Sequence, residues 1–185
     1  TQNEAELRRL RNLRERRGFE LQPRRQNIES RGIESADLAT VLGNDFTMES
    51  FRFAGKELHR IPISSAYEFS WPTDRDFGSA RRRFLWMGSY GMVHKGLDLV
   101  LEAFARMPDL GLTVCGRPEK EEDFFAAYRE ELTALSNVRL AGWVDPASSE
   151  FGELRRTHAA VVYPSCSEGG GGAVIHAMHA GLLPV

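Results

Sequence analysis

Residues 84–104 read FLWMGSYGMVHKGLDLVLEAF: an apolar tetrad, a glycine-bounded turn, then apolar residues at helical spacing. The tetrad has the length and composition of a buried strand, and 96–106 that of a helix. The same alternation continues toward the carboxyl end. Strands are expected at 112–115, 138–141, 160–163 and 182–185, with helices at 119–135, 148–157 and 172–180. Strand followed by helix, repeated, predicts an α/β fold: a doubly wound, Rossmann-type parallel sheet with right-handed crossovers.

Upstream the pattern is looser. Leu7, Leu10 and Leu13 predict a helix over 3–17; a strand is expected at 38–42, a helix at 46–53 capped by Asn44 or Asp45, and a strand at 59–63. Residues 64–82 lose periodicity and carry Ser64, Ser65, Pro72, Asp74, Asp76 and Gly78, the composition of a linker. The expected division is therefore 1–63 as the end of one domain, 64–82 as linker and 83–185 as a second domain. The chain opens on Thr1 within a polar helical pattern and closes on Leu182-Leu183-Pro184-Val185, which reads as a strand just beginning. That is the reading of a fragment. Nine arginines fall before residue 32. They read either as a solvated helix face or as a basic patch that meets a membrane surface or an acidic acceptor.

Composition narrows the class. Hydrophobic content of 42% and charged content of 27% are those of a globular protein, and a net charge of −2 gives no reason to expect nucleic acid as a partner. Two cysteines, Cys115 and Cys166, without disulfide-like spacing suit a reducing cytoplasm, with peripheral membrane contact as the added expectation of the arginine-rich start. No stretch approaches the roughly 18 apolar residues of a membrane span.

In an open parallel sheet, ligands bind outside the carboxyl ends of the strands. The residues there are Gly88-Ser89, Gly116-Arg117, Gly142-Trp143 and Pro164 through Glu168. The glycines are expected to let a ligand approach the backbone. Gly169-Gly170-Gly171-Gly172 opens a helix after the strand ending at Tyr163. Four such glycines cost about 2–4 kcal/mol relative to alanine, and a phosphate held by the free N–H groups of a helix start would offset that cost; the alternative is a flexible surface loop. The run does not match Gly-x-Gly-x-x-Gly, and no P-loop Lys-Ser/Thr follows. Lys95 at a helix start opposes the dipole unless an anion sits beside it. His176 and His179 have metal-like spacing but no third ligand, Cys166 has no base and reads as a small buried thiol, Trp86 and Phe84 read as strand core, and Glu121, Glu122, Glu130 and Glu131 read as a solvated face.

The stretch from Pro164 to Val185, PSCSEGGGGAVIHAMHAGLLPV, resembles the signature of retaining, family-4-like glycosyltransferases of the GT-B fold (glycosyl transferases group 1). In that family a Pro-Ser turn leads to a glutamate, a glycine loop, a second glutamate eight positions on, then Ala-Met and Gly-x-Pro-Val. Met87-Gly-Ser with His94-Lys-Gly-Leu-Asp-Leu resembles the family's first strand, phosphate lysine and helix; Ala141-Gly-Trp-Val-Asp145 resembles the segment lining its base pocket. The resemblance covers 83–185, which would make that region a truncated donor-binding domain and 1–63 the end of an acceptor domain. It implies transfer of a sugar from a nucleoside-diphosphate-sugar donor to a glycan, lipid or small-molecule acceptor, with retention and without metal or other cofactor. By the same resemblance Lys95 holds the diphosphate, joined by Gly88, Ser89 and the glycines from Gly169 to Gly172; Glu168 contacts the transferred sugar; Trp143 and Val144 lie beside the base. Glu168 and Lys95 are the expected catalytic pair, and the group handling the acceptor proton would belong to the acceptor domain, so the fragment alone is expected to be inactive.

Two positions depart from the family. Its arginine six residues before the phosphate lysine is here Ser89, so His94 or Arg117 is expected to supply charge; its second glutamate, a ribose contact, is here His176. These departures suit a divergent subfamily, and they keep open a non-catalytic nucleotide-sugar-binding or scaffold protein. An epimerase or phosphorylase on the same fold is a third reading.

Overall fold

A computed structural model of the chain describes residues 2–25, 32–168 and 170–185. Helix α1 (Gln2–Arg17) is followed by a strap without regular secondary structure, 18–25, and the first strand is β1 (Ala39–Leu42). Helix α2 (Asp45–Glu49) follows, and Asn44 is its cap, accepting from the Thr47 N–H at 3.1 Å. The helix expected over 46–53 ends early: Phe51 leaves the helical region and Arg52–Ala54 form a separate 3-10 turn closed by Gly55 at φ +62°. Strand β2 (Leu58–Ile61) pairs with β1 in parallel, Ala39 opposite Leu58. The expected linker 64–82 contains the short helix α3 (Phe77–Ala80), and Arg75 within it is buried, donating to the carbonyls of Gly181 at 2.6 Å and Arg155 at 2.5 Å.

From β3 (Arg83–Met87) onward the expected alternation is present: α4 (Leu97–Phe104), β4 (Gly111–Cys115), α5 (Glu122–Ala127), α6 (Arg129–Thr133), β5 (Val138–Gly142), α7 (Ser149–Thr157), β6 (Ala160–Val161), α8 (Gly172–His179) and β7 (Leu183–Pro184). All five strands are parallel in the order β5-β4-β3-β6-β7. The order reverses between β3 and β6, and such a switch point opens a crevice at the carboxyl edge. The helix expected over 119–135 is broken. Pro118 starts a 3-10 turn, Glu121 leaves the helical region, and Tyr128 at φ −111° separates α5 from α6. The break turns the Tyr128 ring inward to stack on Phe124 at 4.7 Å, with its hydroxyl donating to Glu102 at 3.0 Å.

Alternation along the strands builds a core on each face of the sheet. Trp86, Leu112 and Val114 pack with α4, α5 and α6, while Leu85, Met87, Cys115 and Val161 pack with α7 and α8. Leu13 of α1 is fully buried in the first of these cores. The arginines of α1 and the strap are therefore not one solvated face: Arg9 pairs with buried Asp98 at 2.5 Å, Arg16 with Glu102 at 3.3 Å, Arg17 with Glu131 at 3.1 Å and Arg24 with Asp123 at 2.5 Å. Among the described residues no helix is long and apolar enough to cross a membrane.

Candidate functional site

A cleft of about 300 Å³ lies at the switch point. It is lined by Met87 at the end of β3 with Gly88 and Ser89 after it, by Cys115 at the end of β4, by Trp143, Val144 and Pro146 after β5, by Tyr163 and Glu168 after β6, by Gly172, Ala173 and His176 of α8, and by Lys95. The carboxyl-edge rule thus gathers residues from four strands at one place.

At its centre, Lys95 Nζ donates to Glu168 Oε1 at 2.5 Å and lies 5.6 Å from the centre of the Tyr163 ring. Burial and the neighbouring Glu168 carboxylate hold the Tyr163 hydroxyl well above its ordinary range. Lys95 is aimed by its own backbone. The buried indole N–H of Trp86 donates to the Lys95 carbonyl at 3.1 Å, and Gly96, at φ +75°, sits so close to the loop after β6 that a Cβ there would be 2.2 Å from the Pro164 carbonyl oxygen. Only glycine fits, and the tight joint brings Lys95 and Glu168 together from opposite sides of the switch point. On the same joint, His94 is buried with Nε2 2.8 Å from the Ser167 carbonyl, and the Cys166 N–H donates to the His94 carbonyl at 2.7 Å.

The glycines after β3 and β4 have a different reason from the one their positions suggest. A Cβ at Gly88 would meet the Trp86 ring at 2.4 Å, and one at Gly116 would meet the same ring at 2.8 Å and the Gly88 carbonyl at 2.6 Å. Packing over the indole demands them, apart from any ligand. Glu121, expected on a solvated face, is buried and accepts the N–H groups of Gly91 at 2.5 Å and Met92 at 3.1 Å, so it shapes the turn after β3. Burial raises the Glu121 carboxyl, and those two N–H groups oppose the rise.

The sequence-expected residues divide on the structure. Gly88, Ser89, Lys95, Trp143, Val144, Glu168, Gly172 and His176 all line the cleft. Val144 is also a core residue, whereas Trp143 is 53% exposed and presents its indole to the opening. Of the glycine run, Gly172 faces the cleft, Gly171 is the left-handed cap of α8 at φ +63°, Gly170 lies under the Ile63 side chain, and Gly169 lies outside the described residues. His94 and Arg117, expected to compensate for Ser89, do not line the cleft: His94 is committed to Ser167 and Arg117 points to solvent. His176 packs its ring edge-on to Tyr67 at 5.3 Å, and burial, then His179, lowers its pKa. Cys115 is an inert floor thiol, pushed up to about 12 by burial; burial also raises Cys166, whose thiol donates to the Val93 carbonyl at 3.7 Å. Trp86 and Tyr163 were not legible as site residues, although Tyr163 stands at a strand's carboxyl end, where the rule would have found it.

A parallel sheet in this order, with a lysine, a carboxylate and a glycine-opened helix at its switch point, defines a doubly wound α/β domain with its crevice at the carboxyl edge. The chain belongs to the glycosyl transferases group 1 family, whose model matches residues 81–185. Its fold is that of the GT-B glycosyltransferases. It is similar to WaaG, a glycosyltransferase involved in lipopolysaccharide biosynthesis (TM-score 0.58, 20% identity, covering 78% of this chain and 42% of WaaG). It is similar also to the apo lipopolysaccharide outer core galactosyltransferase WaaB (0.59, 20%, 83% and 44%), and to Anabaena Alr3699/HepE in complex with UDP and glucose (0.60, 16%, 80% and 44%). The chain thus spans less than half the length of these three structures. No curated protein matches it.

Proposed function

We propose that the cleft binds a nucleoside-diphosphate sugar and that the protein transfers the sugar, with retention, to an acceptor hydroxyl. The observation that carries this reading is the Lys95–Glu168 pair, held at 2.5 Å where the loop before α4 and the loop after β6 meet at Gly96. A lysine and a carboxylate meeting there suit a substrate with an anionic leaving group beside a hydroxyl-rich ring. Lys95 faces the diphosphate, Glu168 the sugar hydroxyls, and exposed Trp143 the flat base. The start of α8 at Gly172 adds the positive end of a helix dipole. Charge grows on the leaving phosphate as its bond to the anomeric carbon breaks, and preorganised cations and N–H groups lower that barrier most. In this reading side chains and backbone neutralise the diphosphate, and no metal takes part.

Calorimetric titration of UDP, GDP and ADP, with Lys95→Ala alongside, tests the site. Binding of one nucleotide, weakened at least tenfold in the variant, is the expected result. A well-folded chain that binds none of the three would sink the donor-site reading. A second reading, a non-catalytic nucleotide-sugar-binding scaffold, draws on His176, which packs against Tyr67 where the family has a carboxylate. Nucleotide binding by the full-length protein without any release of sugar from the donor would favour it.

A further inference from the structure

Both phosphates of a nucleoside diphosphate are ionised at neutral pH, and an enclosed site must meet that charge. Lys95 is the lysine or arginine among the cleft's lining residues, and Glu168 already matches its charge at 2.5 Å. The next cation comes from the strap. Its backbone is pinned on both sides: the Gln22 N–H donates to Asp123 at 2.7 Å, and the N–H groups of Arg24 and Arg25 donate to buried Glu6, each at 3.0 Å. The Arg24 guanidinium is spent on Asp123 at 2.5 Å. Arg25 is different: it is exposed and makes no ion pair among the described residues. Its stem lies on the turn after β3, where a Cβ at Gly91 would be 2.6 Å from the Arg25 Cγ and 3.1 Å from its Cδ. Gly91, at φ +80°, makes room for that stem. Arg25 is also close enough to act electrostatically on the hydroxyl of Tyr163, a lining residue.

We propose that Arg25 is the second cation of the donor site, its guanidinium reaching over Gly91 to a phosphate of a nucleoside diphosphate held at Lys95. The inference rests on the donor-site reading above. A guanidinium presents paired donors to phosphate oxygens, and the pinned strap limits the freedom lost on engagement.

The test is calorimetry on the full chain with UDP, GDP and ADP and with the corresponding nucleosides, comparing Arg25→Ala, Arg25→Lys, Lys95→Ala and the exposed control Arg11→Ala. Arg25→Ala should weaken the bound diphosphate at least tenfold and leave nucleoside binding unchanged, with Arg25→Lys intermediate and Arg11→Ala at the parent affinity. Three results overturn the role of Arg25 while leaving the donor site standing: a smaller loss in Arg25→Ala when Lys95→Ala is impaired, an equal loss for nucleoside and diphosphate, or an equal loss in Arg11→Ala. An unaltered chain that binds no diphosphate overturns both readings together.

Discussion

Glu168 carries two demands that pull against each other. Its carboxylate holds Lys95 at 2.5 Å, yet the same lysine is proposed to face a phosphate. Glu168→Gln removes a negative charge beside the phosphate position and releases Lys95. Affinity for the free nucleoside diphosphate should therefore rise several-fold, while turnover of the sugar donor by the full-length protein falls by two orders of magnitude or more; calorimetry and donor-consumption assays on that protein read the split. Equal falls in both would show Glu168 acting only through the integrity of the loop. Trp86 is the other residue whose chemistry exceeds its appearance. Trp86→Phe leaves the Lys95 carbonyl without its indole donor and opens space under Gly88 and Gly116. The loss should be about 2–3 kcal/mol in urea unfolding, from a buried unsatisfied carbonyl and a cavity together.

At the scale of elements, the joint between α4 and the loop after β6 and the docking of α1 carry most of the consequence. Gly96→Ala places a methyl group 2.2 Å from the Pro164 carbonyl in a left-handed backbone conformation. Neither loop can yield without separating Lys95 from Glu168, so a destabilisation of about 2–4 kcal/mol should come with loss of nucleotide binding. A variant that is destabilised but binds normally would show the joint to be structural alone. Helix α1 is polar along most of its length, but Leu13 is fully buried against the α4–α6 face. Leu13→Ala should cost about 2–4 kcal/mol, measured by chemical denaturation. A loss under about 0.5 kcal/mol would mean that α1 does not belong to this core.

For the whole molecule, one buried histidine sets a pH dependence. His158 sits between β4 and α7, with Nδ1 2.9 Å from the Leu154 carbonyl and Nε2 2.9 Å from the Thr113 hydroxyl. A neutral ring that donates from Nδ1 and accepts at Nε2 satisfies both partners. Burial lowers its pKa from 6.5 to about 4. Between these two values the unfolded chain binds more protons than the folded one, so the His158 contribution is fully present above pH 6.5 and is lost as pH falls toward 4. The decline should be on the order of 2–3 kcal/mol over that window. Urea midpoints measured from pH 7 to pH 4.5 should fall more steeply in the parent than in His158→Asn; parallel curves would rule out His158 as the source.

The alternation after residue 83, the parallel sheet and the edge where ligands gather were legible in sequence, because strand and helix periods are local properties and the carboxyl-edge rule needs only chain direction. So were Lys95, Glu168, Trp143, Gly172 and His176 as lining residues, through the family resemblance, with Lys95 and Gly172 also marked by their places at the starts of α4 and α8. What sequence could not supply were the partners of residues far apart in the chain. Glu121 reads as a surface carboxylate until the fold turns it onto the backbone of Gly91 and Met92. Gly88 and Gly116 read as room for a ligand until the Trp86 ring is seen beneath them. The arginines of α1 read as a solvated face or a basic patch until α4 and α6 present acids to Arg9, Arg16 and Arg17, and the fold lays the Arg25 stem on the turn at Gly91. Periodicity reports which face of an element is apolar; which charge meets which is decided only when the elements pack.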